Sequence, residues 1–288
     1  MTETLDSLRL QAEQHVEQME WEQALEVYGK ISNMDPFDLN ALEQSARVLA
    51  IRGLPKFVAE RYERLADILM AKGDLDSART YTQKIIGLFP ENTDARLRML
   101  KIIERQGDVE ETIRYKIKLA RLFSELEESE KSIMILNQAC EQYPDNLELK
   151  MELAETYISH GMIDEGIGRY QELYGIFMRN EDKEKAMEAL RRIRRIRPDD
   201  REILFPLGKL YLEMNLLDEA EGEFRSALRS NLEDMEALVC LGNVCERKGQ
   251  LRDAVLAYNK VLSINPDDQL TRSKLEMLRT QMQEPISQ

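Results

Sequence analysis

The chain has 288 residues, of which 33% are charged and only 6% aromatic, and its formal net charge is −14. Leu, Ala, Glu, Arg and Lys dominate, an all-helical composition. A polyanion gains no counterion-release energy from DNA or RNA and is repelled by an anionic membrane surface, so nucleic-acid and membrane-surface partners are disfavoured.

The opening residues, MTETLDSLRL, hold neither a basic stretch nor an apolar core of the leader type, and no apolar run approaches the ~20 residues that span a bilayer. Residues 1–4 read as a short extension. A first repeat unit then covers 5–38, with Leu8, Ala12, Ala24, Tyr28, Ile31 and Pro36 at helical spacing. Pro36 opens a series: Pro90, Pro144 and Pro198 follow at intervals of 54 residues, and Asp38, Asn92, Asn146 and Asp200 stand two residues after each. So regular a period means a stacked array of one supersecondary unit. It divides the middle of the chain into modules 39–92, 93–146 and 147–200. Each module is read as three helices, the central one long (about 55–72, 109–125 and 163–179). That long helix is expected to serve as second helix of one pair and first helix of the next. The last two units are 201–234 and 235–268, followed by a capping helix over 269–283 and a tail, EPISQ, over 284–288.

In the last two units the positions are most regular. Leu204, Leu207, Gly208, Tyr211, Ala220, Phe224 and Ala227 occupy positions 4, 7, 8, 11, 20, 24 and 27 of the first. Leu238, Leu241, Gly242, Cys245, Ala254, Tyr258, Val261 and Pro266 fill those places and position 32 of the second. This resembles the tetratricopeptide repeat, whose 34-residue pattern is W-x₂-L-G-x₂-Y, then A-x₃-F, then P. The unit at 5–38 departs from it at position 11, where His15 stands in place of Tyr, and the third module puts Tyr174 at a normally small position 8. The resemblance implies an all-α, tetratricopeptide-like α-solenoid, a right-handed superhelix of helical hairpins with about 16 helices.

Each slot has a physical reason. Positions 8 and 20 are small because the two helices of a hairpin touch there, and a larger side chain strains the contact by roughly 1–3 kcal/mol. Proline stops the second helix. The Asp or Asn beyond it is placed to N-cap the next helix, worth about 1 kcal/mol over Ala, and Asp234 and Asp268 continue that series. Gly53, Gly73, Gly107, Gly161 and Gly249 sit at helix ends, where a left-handed residue is useful.

Catalytic signatures are missing from the sequence. No glycine-rich phosphate loop, HExxH, GxSxG or EF-hand loop occurs, so neither catalytic residues nor cofactors are expected. Cys240 and Cys245 lie five apart without further ligands nearby; with Cys140 they read as small core residues, and no metal site is expected. Three cysteines make no disulfide framework, which points to a reducing cytoplasm. His15 and His160 read as structural, the second complementing a helix C-terminus. The SELEESEKS stretch at 124–132 reads as a solvated turn. Arg191, Arg192, Arg194, Arg195 and Arg197 form a cationic run; Arg191, Arg194 and Arg195 are candidates for an acidic partner, but the run fits better as a solvated helix end where the dipole favours cations.

Partners of the tetratricopeptide family often lie along the groove lined by the first helix of each pair. Carried onto this chain, the resemblance implies groove positions at Glu202, Phe205, Lys209, Leu212 and Glu213, then at Glu236, Val239, Asn243, Glu246 and Arg247. These mix apolar anchors with both charge signs, as suits an extended peptide or amphipathic helix. The chaperone-tail clamp of some members is not expected: Asn243 lacks its companions, since Val239, Leu270 and Lys274 stand at the other clamp positions. The expected function is therefore a non-catalytic, cytoplasmic adaptor or scaffold for one or more proteins. The alternative is an RNA-binding helical repeat acting through the arginine run.

Overall fold

A computed structural model describes residues 4–283. Residues 1–3 of the extension and the tail at 284–288 lie outside the described residues. Among the described residues every regular element is a helix, and there are sixteen: α1 Leu5–Glu17, α2 Trp21–Met34, α3 Leu39–Ile51, α4 Pro55–Lys72, α5 Leu75–Leu88, α6 Thr93–Gln106, α7 Val109–Glu125, α8 Ser129–Gln142, α9 Leu147–Ser159, α10 Ile163–Arg179, α11 Lys183–Ile196, α12 Arg201–Glu213, α13 Leu217–Ser230, α14 Met235–Arg247, α15 Leu251–Ile264 and α16 Gln269–Gln283. They fall into two compact units, 1–143 with α1–α8 and 144–288 with α9–α16. Within each unit every helix packs on its neighbours in the chain, the arrangement of a solenoid of helical hairpins.

Two kinds of connection build the array. Six are four residues long (35–38, 89–92, 143–146, 197–200, 231–234 and 265–268), and each ends in an Asp or Asn whose side chain accepts a backbone N–H of the next helix. Those N–H···O distances run from 2.9 Å at Asp38 to 3.1 Å at Asp268. The remaining nine connections have two or three residues, and each contains one residue in the left-handed region. Glycine holds five of these places: Gly53, Gly73, Gly107, Gly161 and Gly249. Met19, Glu127, Glu181 and Asn215 hold the other four at φ near 60°. A left-handed residue lets the chain reverse and donate back to the last carbonyls of the helix. Gly107, for example, donates to the Ile103 carbonyl at 3.2 Å.

The long central helices each meet two partners. In α4 the first half sets Val58 against Ala46 and Leu49 of α3, while Leu69 near its end packs with Ala78 of α5. In α10 Tyr170 and Phe177 share a core with Ala154 of α9 and Ala186 of α11. Ala12, Ala24, Ala46, Ala66, Ala78, Ala120, Ala154, Ala186, Ala220 and Ala254 are fully buried at the helix contacts. Gly208 and Gly242 take the small slot under an aromatic ring: a Cβ on Gly208 would lie 2.8 Å from Cε1 of Phe224, and one on Gly242 would meet the Tyr258 ring.

The SELEESEKS stretch is less of a turn than its composition suggests. Only residues 126–128 connect α7 to α8. Ser132 is fully buried, donating to the Ala120 carbonyl at 2.8 Å, so it fills the small slot of its hairpin.

A Cβ on Gly73 or Gly107 meets open space, so only the backbone conformation opposes a side chain there. Gly73→Ala and Gly107→Ala are each expected to lower the unfolding free energy by about 1 kcal/mol, and Glu127→Gly to raise it, read as shifts of the urea midpoint. Gly208→Val should cost about 1–3 kcal/mol, because the Phe224 ring has to move. Equal midpoints for Gly208→Val and wild type would show that the hairpin has slack at that contact.

Candidate functional site

The first helices of the last two pairs, α12 and α14, contact one another within the second unit, and α16 packs on α15. At this face Phe205 is half-buried. Its ring stands 5.9 Å from that of Phe224 in an edge-on arrangement, and two cations from its own helix flank it. The Arg201 guanidinium lies 4.9 Å and the Lys209 ammonium 4.8 Å from the ring centre, both within cation–π range. Pro206, inside α12, removes the N–H that would meet the Glu202 carbonyl. That acceptor therefore lacks its helical donor next to the aromatic ring.

Arg201 joins the two helices. It donates to both oxygens of Asp234, the N-cap of α14, and to Glu236 at 2.9 Å. The Asp234 side chain is only 4% exposed. The Arg201 hydrogen bond and the Ala237 amide hold its carboxyl below the ordinary range against the opposing effect of burial. The same device occurs in the first unit. There Asp38 is buried, which raises its carboxyl, but the Ala41 amide and the Arg9 guanidinium at 2.7 Å bring the net shift below normal.

The expected groove residues divide into two groups. Phe205, Leu212 and Val239 are half-buried, Lys209 and Glu202 are exposed, and Lys209 has no ion pair among the described residues. The others are engaged internally. Glu213 pairs with Lys183 at 2.7 Å, and Glu236 with Arg201. Arg247 donates to the Leu212 carbonyl at 2.9 Å and to Asn215 at 2.8 Å, tying α14 to the end of α12. Asn243 accepts from the Tyr258 hydroxyl at 2.8 Å and from Lys274 of α16, while Glu246 accepts from the same hydroxyl at 3.2 Å. Burial, followed by the Glu246 carboxylate, raises the Tyr258 hydroxyl well above its ordinary value, so it stays protonated and donates.

Three contributors were not in the groove pattern: Arg201, Cys240 and Lys274. Cys240 is half-buried, and burial raises its thiol while the nearby Lys209 and Lys274 ammonium groups oppose that rise. Lysines from α12 and α16 thus both bear on the middle of α14. Cys245, by contrast, is buried in the core with Ala254, Tyr258 and Leu275. Among the described residues no group of three His, Cys, Asp or Glu side chains is placed to hold a metal ion.

Most of the arginine run is engaged within the unit. Arg191 Nε donates to the Tyr211 hydroxyl at 2.6 Å and stacks on that ring, and Arg194 pairs with Glu223 at 2.9 Å. Arg192 faces Glu155 and Glu188, and Arg197 pairs with Asp164. Arg195 is exposed. Of the histidines, His15 contacts Glu20 through Nδ1 at 2.7 Å, and His160 is the C-cap of α9.

Paired helices with small crossings, a left-handed reversal and an N-capped return define a helical-repeat protein. Its repeats are tetratricopeptide repeats: models of that repeat match residues 59–92, 117–146 and 205–269. The first match begins inside α4, so it takes the second part of that long helix as the opening helix of its repeat. Among curated proteins, the chain is 26% identical over 176 residues to Protein O-mannosyl-transferase TMTC1 of Homo sapiens, a match covering 54% of this chain and 20% of that protein. The Mus musculus protein of the same name is 28% identical over 140 residues, 46% of this chain and 15% of that protein. The chain thus spans about a fifth or less of the length of these relatives. Among solved structures, the P58(IPK) TPR domain matches with a TM-score of 0.34 and 15% identity, covering 98% of this chain and 99% of that one. The APC/C hetero-tetramer Cut9–Hcn1 gives a TM-score of 0.36 at 16% identity, covering 95% and 55% respectively.

The depressed carboxyls set a pH dependence. Their stabilising contribution is complete above the unfolded value of about 3.9 and is lost as pH falls through the lower folded values. The urea midpoint should therefore stay level from neutral pH to about 5 and then fall. Asp234→Asn keeps a capping side chain but loses the charge, so it should show a shallower acid limb than wild type. Superimposable limbs would mean that the Arg201–Asp234 pair adds nothing to folding.

Proposed function

We propose that the protein is a non-catalytic scaffold that holds a segment of a partner protein, extended or helical, across the α12–α14 face. The observation that carries this reading is Phe205. A half-exposed ring is kept in place by Phe224 beneath it and by Arg201 and Lys209 on either side, and only Arg201 is neutralised by carboxylates. A rigid aromatic beside an unpaired ammonium suits peptide binding: the ring supplies apolar contact and the charge sets direction. Asn243, Glu246 and Arg247 are read as the frame that fixes this face rather than as its contacts. Scaffolding by tetratricopeptide repeats needs no catalytic group, and we assign no transfer chemistry to the stretch shared with the O-mannosyl-transferases. We place the protein in the cytoplasm, a reading supported by its three free cysteines. Among the described residues no helix is long and apolar enough to cross a membrane.

Nucleic-acid binding through the arginine run has less support, because Arg191 and Arg194 are already committed to Tyr211 and Glu223. The test is site-specific photo-crosslinking in the native cell, with a photoreactive residue at position 205 and a control at exposed Leu256 on α15. Discrete protein adducts are expected from position 205 and not from 256, and Lys209→Ala should reduce their yield. Adducts of equal pattern and yield from both positions would remove the α12–α14 face as the binding surface.

A further inference from the structure

The first unit contains a cavity of 440 Å³ where the turn between α3 and α4 meets the end of α5. Ala50, Leu54, Val58, Tyr62, Lys84 and Leu88 are among its lining residues. A cavity of this size falls within the range of small-ligand and side-chain pockets. It exists because small residues stand where the other modules carry large ones. At the places of Ala50 and Gly87, the next module has Glu104 and Glu141, and the third has Ile158 and Arg195. In the second module Lys116, at the place of Tyr62, donates to Gln142 at 2.6 Å and pairs with Glu104 at 2.9 Å, so the corresponding corner is a closed polar cluster. In the third, Ile158 lies against Gly166. Gly87 itself has nothing within 4 Å of where a Cβ would stand.

The surroundings are apolar and cationic. Leu88 on the rim is 40% exposed, and Ile51 and Phe57, each next in sequence to a lining residue, are 63% and 50% exposed. The two segments that form the site, 50–62 and 84–90, contain Arg52, Lys56, Arg61 and Lys84 against a single acid, Glu60, on a chain whose net charge is −14. Arg52 pairs with Glu22 at 3.1 Å. Lys84 has no carboxylate partner among the described residues; its ammonium stands 5.2 Å from the Tyr62 ring and 4.6 Å from the Tyr81 ring. An aromatic pair holds the charge at the cavity mouth and leaves its N–H donors open.

We propose that this cavity is a second docking site, separate from the α12–α14 face, that takes a bulky apolar side chain from an acidic segment of a partner protein, with a carboxylate of that segment on Lys84. Burial of the apolar side chain supplies affinity, and the local cations on an otherwise anionic chain select acidic segments and speed their arrival. An anionic membrane offers the same chemistry, but the whole molecule's negative charge opposes adsorption to it.

The test pans a display library of random linear peptides against the full chain, with the Ala50→Ile/Gly87→Arg variant as counter-target. Those two replacements are the third module's own residues, and circular dichroism checks that the variant folds. Peptides combining a large aromatic or aliphatic residue with Asp or Glu are expected to be enriched. The selected peptide should bind the filled variant and Lys84→Glu at least about tenfold more weakly than wild type, and Phe205→Ala/Lys209→Ala with unchanged affinity. The proposal is overturned if wild type enriches nothing beyond the counter-target, if the enriched peptides lack acidic residues, or if Lys84→Glu leaves affinity unmoved. It is also overturned if the full chain selects no peptide but binds phosphatidylserine–phosphatidylcholine vesicles in a Lys84-dependent way.

Discussion

Everything in this molecule depends on two helices crossing at a distance that only small side chains permit. Ala, Gly and Ser at the crossings remove the side-chain layer that would otherwise hold the backbones apart, so each hairpin closes on aromatic and branched residues on either side. The reversal that brings the helices together is equally constrained: one left-handed residue per short turn, at the same place each time. Stability in such an array comes from each hairpin and its contacts with its neighbours rather than from one shared centre. Surface features can then differ from module to module without disturbing the frame, which is how a cavity comes to exist in one module and a polar cluster at the corresponding place in the next.

Much of this frame was legible in the amino-acid sequence. The prolines and the Asp or Asn after them marked the long connections because proline excludes helix and a carboxylate or amide side chain caps the next one. Small residues at positions 8 and 20 marked the crossings. The short turns were only half visible. Gly53, Gly73, Gly107, Gly161 and Gly249 announced themselves, while Met19, Glu127, Glu181 and Asn215 did not. A left-handed side chain costs only about 1–2 kcal/mol, which neighbouring packing absorbs, so composition gives no sign of it.

The candidate site was less legible than the fold. A repeat pattern says which positions point toward a groove but not which of them are already bonded. Glu236, Asn243, Glu246 and Arg247 turned out to hold helices together, because their partners (Arg201, Lys274, Tyr258 and Leu212) lie 12 to 35 residues away in the chain. Long-range pairing of this kind leaves no local trace. The arginine run misleads for the same reason: its charge density is plain in the sequence, while the tyrosine and glutamates that absorb it are scattered over three other helices.

The left-handed turns recur along the chain at steps of 34 and 20 residues in alternation, from Met19 through Asn215, before a last step of 34 to Gly249. Those two steps are interchangeable units of growth. Excising residues 54–73 would put Gly53 directly before Asp74 and turn a three-helix module into an ordinary pair; inserting twenty would do the opposite. A chain built this way can change its parity of helices, and with it the end from which it departs, in a single splice that keeps a left-handed reversal at the new junction.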